Sequence, residues 1–293
     1  MWARRPAQAR AAAASAGVSL IPDAASAVAD VEARAASPSI NALAAAEVIV
    51  LAIRDDATAA VAAQLAAVGA LRPHHTLVHC SGARSAEAVF SAVRASVDAI
   101  ATLHPLRAIA DGRAALAALA GTVFGVEGDA RGRPRVQHLV EAHLGGRTLA
   151  LASEQMTAYH AAAVMASNYA VALLDAAAQV LERAGIEPAL ALDALLPLAQ
   201  GSLSNVAKHG LVQGLTGPIR RGDRATVARH VEALADDPAL TALYRLLGRR
   251  ALGLARAGGQ AARDDLDAIE SLLTDDPAVE APATLRSDVE HDR

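Results

Sequence analysis

The chain has 293 residues and a formal net charge of -4; 53% of its residues are hydrophobic and 20% charged. That length allows one large domain or two ordinary ones, and that balance excludes global disorder. The cationic residues are scattered, so no nucleic-acid surface is expected. Aromatic residues are only 2%, which leaves alanine, leucine and valine to fill the interior. The single cysteine, Cys80, excludes an internal disulfide and a cysteine-based zinc site. A cytoplasmic location is the expectation: Arg4 and Arg5 are followed by no continuous apolar signal core. The stretch Ile40 to Ile53 is broken by Asn41 and Glu47 and is too short to span a bilayer.

The chain opens "MWARRPAQARAAAASAG". Trp2 and Ala3 read as a short strand, Arg4-Arg5-Pro6 as a turn, and the alanine-rich run as a helix. "VSLI" (18–21) is a weak strand, and 29–46 an extra surface segment without an assigned role. "EVIVLAI" (47–53) is a continuous apolar run, as expected of a strand buried on both faces. The predicted elements then alternate: helix 56–70, strand "HTLVHC" (75–80), helix 83–93, strand "DAIATLHPL" (98–106). Helix 114–120, strand "GTVFGVEG" (121–128), helix 133–145 and strand "RTLAL" (147–151) complete the series. Such alternation implies right-handed crossovers and a mostly parallel sheet.

After residue 152 the alternation stops. Residues 153–185 read as one long helix, with Ser153 as N-cap and Gly185 as C-cap. It is apolar on most sides, which predicts a buried central helix. Pro188 starts a second helix, and helical runs continue at about 223–235, 239–257 and 260–273. The expected organisation is an α/β Rossmann-like domain over 1–152, a helical domain over 153–277 and a disordered tail over 278–293.

A dinucleotide site of the Rossmann kind needs a glycine-rich turn after its first strand, where only glycine lets the backbone approach a pyrophosphate. This chain contains no G-x-G and no P-loop. Its first residues nevertheless fit the segment that comes next after such a unit. The residue ending the second strand reads the adenosine ribose, and an arginine there suits a 2′-phosphate. Arg4 and Arg5 stand at that point and could grip the phosphate bidentately; the alternative is a solvated pair.

Four stretches carry a resemblance: "HCSGA" (79–83), "LHPLR" (103–107), "YHAAAVMASNYAVALL" (159–174) and "TGPIRRGD" (216–223). Together they resemble the bacterial family of Rossmann-like proteins with a C-terminal DUF2520 domain, over about residues 1–275. That family is similar to pyrroline-5-carboxylate reductase, ketopantoate reductase and the 6-phosphogluconate dehydrogenase group. The resemblance implies a Rossmann-like sheet domain followed by an all-helical domain of the 6-phosphogluconate dehydrogenase C-terminal type. It further implies an NADP-dependent oxidoreductase acting on a small oxo, imino or hydroxy acid. A typical member carries a first strand, glycine loop and first helix ahead of what is Met1 here. The chain therefore reads as truncated at the front, with cofactor binding compromised. The rival reading is a non-catalytic binding or dimerisation protein that keeps the fold without the loop.

The candidate site residues lie in these stretches. Ser81 and Gly82 sit where a strand meets a helix and can offer a hydroxyl and a close backbone approach to cofactor; the alternative is an ordinary capped turn. Cys80 reads as a small buried filler. His104, ending the next strand, could bind substrate or pass a proton, or merely cap a carbonyl. His160 and Ser167 are separated by about two helical turns and share a face, with Asn168 beside them. Polar groups in an apolar helix are costly unless paired or wet. The related dehydrogenases use a lysine near this helix start; none is present here, so His160 takes the proton-donor role. A packed polar cluster is the other reading. Thr216 and Arg221 border the expected substrate crevice, Arg221 facing a carboxylate, unless 216–223 is only a helix linker capped by Asp223. His74, His75 and His79 lack carboxylates at ligand spacing, so no metal is expected. The long apolar helix predicts a homodimer.

Overall fold

The structure is a computed structural model, and it describes residues 43–109 and 119–274. Two compact units divide the chain, one ending at Tyr169 and the other beginning at Ala170.

The first unit is built on one five-stranded sheet whose strands lie in chain order. They are β1 (Val48–Leu51), β2 (Thr76–His79), β3 (Ala99–Pro105), β4 (Val123–Gly128) and β5 (Arg147–Ala150). β1, β2 and β3 run parallel, β4 is antiparallel to β3, and β5 runs parallel to β4. The mostly parallel sheet expected from the alternation is present, with one reversed strand within it.

Side-chain alternation gives the sheet two apolar faces. Ile49, Leu51, Leu77 and Ile100 pack under α1 (Asp55–Ala67) and α2 (Ala86–Phe90) through Val61, Val89 and Phe90. Val78, Ala101, Leu103, Phe124 and Val126 pack under α3 (Gly132–Leu139) through Val136 and Val140. Each fully buried aliphatic or aromatic side chain contributes about 1.5–3 kcal/mol. α3 starts hard against β3: a Cβ at Gly132 would collide with the Ile100 carbonyl, so only glycine fits. Asp129 fixes this junction, one carboxylate oxygen accepting from the Gly132 amide (2.7 Å) and the other from the Ile100 amide (3.1 Å). A π-helical turn, Val140–Leu144, extends α3. One expectation is corrected: β1 is not covered on both faces, since Val50 is 41% exposed on the face opposite Ile49 and Leu51. β1 is the edge strand of the described sheet.

The helix expected over 153–185 is also corrected. Ser153–Gln155 is a 3-10 turn, α4 covers Met156–Ala166, and α5 covers Asn168–Arg183. The backbone breaks at Ser167 (φ -115°, ψ -72°). Ser153 does not cap the helix because its hydroxyl donates to Glu127 instead, at 2.7 Å. Gly185 does end the run in a left-handed turn, φ 87°. Nor is the segment buried: Met165, Tyr169 and Val171 are exposed. By length and composition, Ser153–Arg183 is apolar enough to cross a membrane, with a mean hydropathy of 1.4.

The second unit continues with α6 (Pro188–Gly214), α7 (Pro218–Arg221), α8 (Arg224–Ala233), α9 (Pro238–Gly258) and α10 (Arg263–Thr274). Starts obey ordinary capping rules. Glu187, Asp223 and Asp237 accept from the amides of Leu190, Thr226 and Leu240. Ile219, Val227, Leu252, Leu266, Ile269 and Leu273 form its core. The expected tail from 278 lies outside the described residues.

Candidate functional site

Because β1, β2 and β3 are parallel, their C-terminal ends open on one edge of the sheet, where open α/β sheets bind ligands. The turn after β2 carries Ser81 and Gly82, and β3 ends on His104 and Pro105. α4 brings Tyr159 and His160 to the same place. The phenol oxygen of Tyr159 lies 2.8 Å from His104 Nδ1. The rings of His104 and His160 meet edge to face, their centroids 5.8 Å apart.

Gly82 is the floor on which these rings close. A Cβ there would stand 2.7 Å from His160 Nδ1 and 2.9 Å from His104 Nε2, so any larger residue would push the imidazoles away. Gly125 does the same under Tyr159, whose phenol a Cβ would strike. His160 Nδ1 is buried with no hydrogen-bond partner and faces the space above Gly82. Burial, and then the neighbouring His160, hold the His104 pKa below the usual histidine range, against the opposing pull of Asp55. Burial pushes the Tyr159 phenol up to about 12. At neutral pH His104 is therefore uncharged and Tyr159 keeps its proton.

Behind the cluster runs a polar chain, buried at Ser81, His79, Thr102 and Glu127 and exposed at its two ends, Asp55 and Ser153. Ser81 Oγ donates to Asp55 Oδ2 at 2.6 Å. The Ser81 amide donates to His79 Nδ1 at 3.1 Å, which makes that nitrogen the bare one. His79 Nε2 then carries the proton and donates to Thr102 Oγ1 at 3.2 Å. Thr102 passes its own proton to Glu127 Oε2, also at 3.2 Å. The same carboxylate accepts from the Ala86 amide at the start of α2 (2.7 Å) and from Ser153 ahead of α4 (2.7 Å). Glu127 is almost fully buried, and a buried carboxylate is tolerable only when its oxygens are satisfied in this way. The chain ties the turn that holds Gly82 to the segment that launches Tyr159 and His160.

The structure thus brings His104, Gly82 and His160 together. The Ser81 hydroxyl donates to Asp55 and accepts from the Ala83 amide. Burial pushes the Cys80 thiol up to about 11, which makes it a poor nucleophile. Ser167 and Asn168 are exposed, and Ser167 lies about 10 Å along the axis from His160. Thr216 and Arg221 belong to the second unit, and both are exposed. There the neighbouring Arg220 does the structural work, its guanidinium donating to the carbonyls of Val212, Gln213 and Leu215. Arg4 and Arg5 lie outside the described residues. Among the described residues no cluster of three histidines, cysteines or carboxylates has metal-binding geometry.

Known proteins share parts of this arrangement. Residues 122–251 match a family model described as a domain of unknown function, DUF2520. A Thermotoga maritima protein of known structure is 31% identical, with a TM-score of 0.62 over 72% of this chain and 79% of that one. This chain belongs to the Rossmann-like, DUF2520-containing family. A Bacteroides fragilis protein provisionally described as an NADP oxidoreductase is 21% identical, with a TM-score of 0.59 over 86% of this chain and 87% of that one. A Mycobacterium avium protein provisionally described as an oxidoreductase is 18% identical, with a TM-score of 0.51 over 75% and 82% of the two chains. These two share the fold. No curated protein sequence matches.

Sequence reasoning missed Tyr159, Glu127, Thr102, Ser153 and Asp55. Glu127 had a visible signal, since an acid inside an otherwise apolar strand demands a partner. Tyr159 stood beside a residue already chosen, yet adjacency along a helix says nothing about which ring it meets across the sheet.

Proposed function

We propose that the chain is an NADP-dependent oxidoreductase acting on a small oxo, imino or hydroxy acid. The observation that carries this reading is the convergence of His104, Tyr159 and His160 on Gly82 at the ligand-binding edge of the sheet. The descriptions given to the Bacteroides and Mycobacterium proteins agree with it.

In this reading His160 hands a proton to the substrate's oxygen or nitrogen: the new O–H or N–H bond forms as the imidazolium N–H breaks, and the reverse reaction returns it. Ser167 and Asn168 orient the substrate's polar groups. Arg4 and Arg5 take the 2′-phosphate. The described residues fit the substrate side of such a site and not the pyrophosphate side. They include no glycine-rich turn, and the Ser81 hydroxyl is already bound to Asp55. NADPH affinity in these 293 residues is accordingly weak or absent. The chain works in the cytoplasm as a homodimer, the exposed apolar faces of α5 and α6 meeting a second copy.

The test is NADPH turnover with a panel of small oxo and imino acids, run on a form of the chain to which a strand and glycine-rich loop have been joined ahead of Met1. His160→Asn should lower kcat at least about tenfold with NADPH affinity unchanged. An unchanged kcat with only a lower Tm would make His160 a packing residue. Micromolar NADPH affinity would sink the weak-binding claim. Monomer alone in light scattering across a wide concentration range would refute the dimer.

A further inference from the structure

We propose that Tyr159 is a positioning residue whose hydroxyl donates to His104 Nδ1, fixing His104 as the Nε2–H tautomer with that N–H presented to an oxygen of the ligand beside His160. The proposal rests on the oxidoreductase reading for its role, and on geometry alone for its existence.

The tautomer is set by counting protons. Tyr159 has one to give and two acceptors near it: His104 Nδ1 at 2.8 Å and the His104 carbonyl at 3.5 Å. Only the first is a good O–H donor distance, the second lying at the edge of what counts as a hydrogen bond. The phenol proton therefore points at Nδ1, and a neutral imidazole with a bare Nδ1 carries its hydrogen on Nε2.

What that hydrogen can do is shown by the neighbouring strand. His79 has the same tautomer, but its Nε2–H is consumed by Thr102. His104 Nε2 donates to none of the described residues and faces the space above Gly82. Two histidines on adjacent strands thus share a tautomer; one is spent on the scaffold and the other is available. A neutral N–H held in place stabilises negative charge growing on a carbonyl oxygen without itself giving up a proton. That separates the labour: His104 polarises and His160 protonates. The Gly125 position matters for the same reason, since any side chain there would displace the phenol.

The test needs no substrate. Long-range ¹⁵N–¹H correlation spectra of the labelled, ligand-free chain, at about pH 8 where histidines are neutral, report each ring's tautomer. The expected result for His104 is a protonated Nε2 and a bare Nδ1, and Tyr159→Phe should convert it to a mixture. His79, held by Ser81 and Thr102, should keep its pattern in both proteins and so certify that the variant is folded. A protonated Nδ1 on His104 in the unaltered chain overturns the proposal, even if the variant fails to fold. So does a folded Tyr159→Phe chain whose His104 pattern is unchanged. Absence of NADPH turnover in a form carrying the glycine-rich loop would defeat the proposed function and leave this readout standing.

Discussion

Leu77 in β2 is fully buried, and Leu198 in α6 is 68% exposed. The same side chain serves two regions that handle apolar surface differently. In the sheet unit, both faces of β2 and β3 are sealed by helices that come from the connections between strands. In the helical unit only α7 to α10 close on a shared core. α5 buries none of its residues, and α6 buries only Ala191 and Gly214. The difference comes from chain path. A crossover helix must return to its own sheet, whereas a long helix can present its apolar side wherever a partner waits.

The sharpest way to break this comparison is to truncate the two leucines. Leu77→Ala should cost about 2–5 kcal/mol in urea denaturation, since the cavity cannot collapse between two helices and a sheet. Leu198→Ala should change stability by less than about 0.5 kcal/mol in the isolated chain. A loss that appears only as protein concentration rises is what coverage by a second copy predicts; a large loss that is the same at every concentration would break the contrast.

Next in size is Glu127→Ala. It strips an acceptor from the Ala86 amide and from the Thr102 and Ser153 hydroxyls inside the sheet unit. A loss of about 3 kcal/mol is expected, with His79, still held by the Ser81 amide, keeping its tautomer in the same spectra. A melt unchanged within error would mean that water replaces the carboxylate.

Acid should then separate the two units. Burial first of all depresses the pKa values of His75, His79 and His104, all in the sheet unit. The unfolded chain binds protons on these histidines before the folded one does. Their contribution is therefore complete above about pH 6.5 and is lost as pH falls below it towards the folded values. Hydrogen exchange recorded from pH 7 to pH 5 should show the sheet amides losing protection before those of α9 and α10. The reverse order would contradict it.

The smallest effect is Asp223→Ala, which removes the cap on α8 by freeing the Thr226 amide. About 1 kcal/mol is expected, confined to the helical unit. A comparable loss of protection in β2 or β3 would show that the two units do not unfold separately.

The described strands and helices of the sheet unit were legible because each is written in a short run with its own period. "EVIVLAI" and "HTLVHC" lie on β1 and β2, and the caps at Asp223 and Gly185 sit where the residue types place them. The break at Ser167 was not legible, because the same alanine-rich composition continues on both sides of it. His104, Gly82 and His160 were legible as candidates from strand ends and from polarity in an apolar helix. Their mutual contact was not. It depends on Tyr159 reaching across β4 and on Glu127 fixing the approach of Ser153, which are matters of distance rather than order along the chain.

The polar chain from Asp55 through Ser81, His79, Thr102 and Glu127 to Ser153, buried in its middle, has a consequence of another kind. It has the look of a conductor for protons, and its wiring says otherwise. From Ser81 the hydrogens run one way to Asp55 and the other way through His79 and Thr102 to Glu127, which Ser153 also meets from the far side as a donor. The link between Ser81 and His79 is a backbone amide, which cannot give up its hydrogen, so no relay passes that point. In circuit terms it is an insulator. Whatever proton traffic His160 takes part in is confined to the open side of Gly82, and the interior of the sheet stays electrically quiet while it happens.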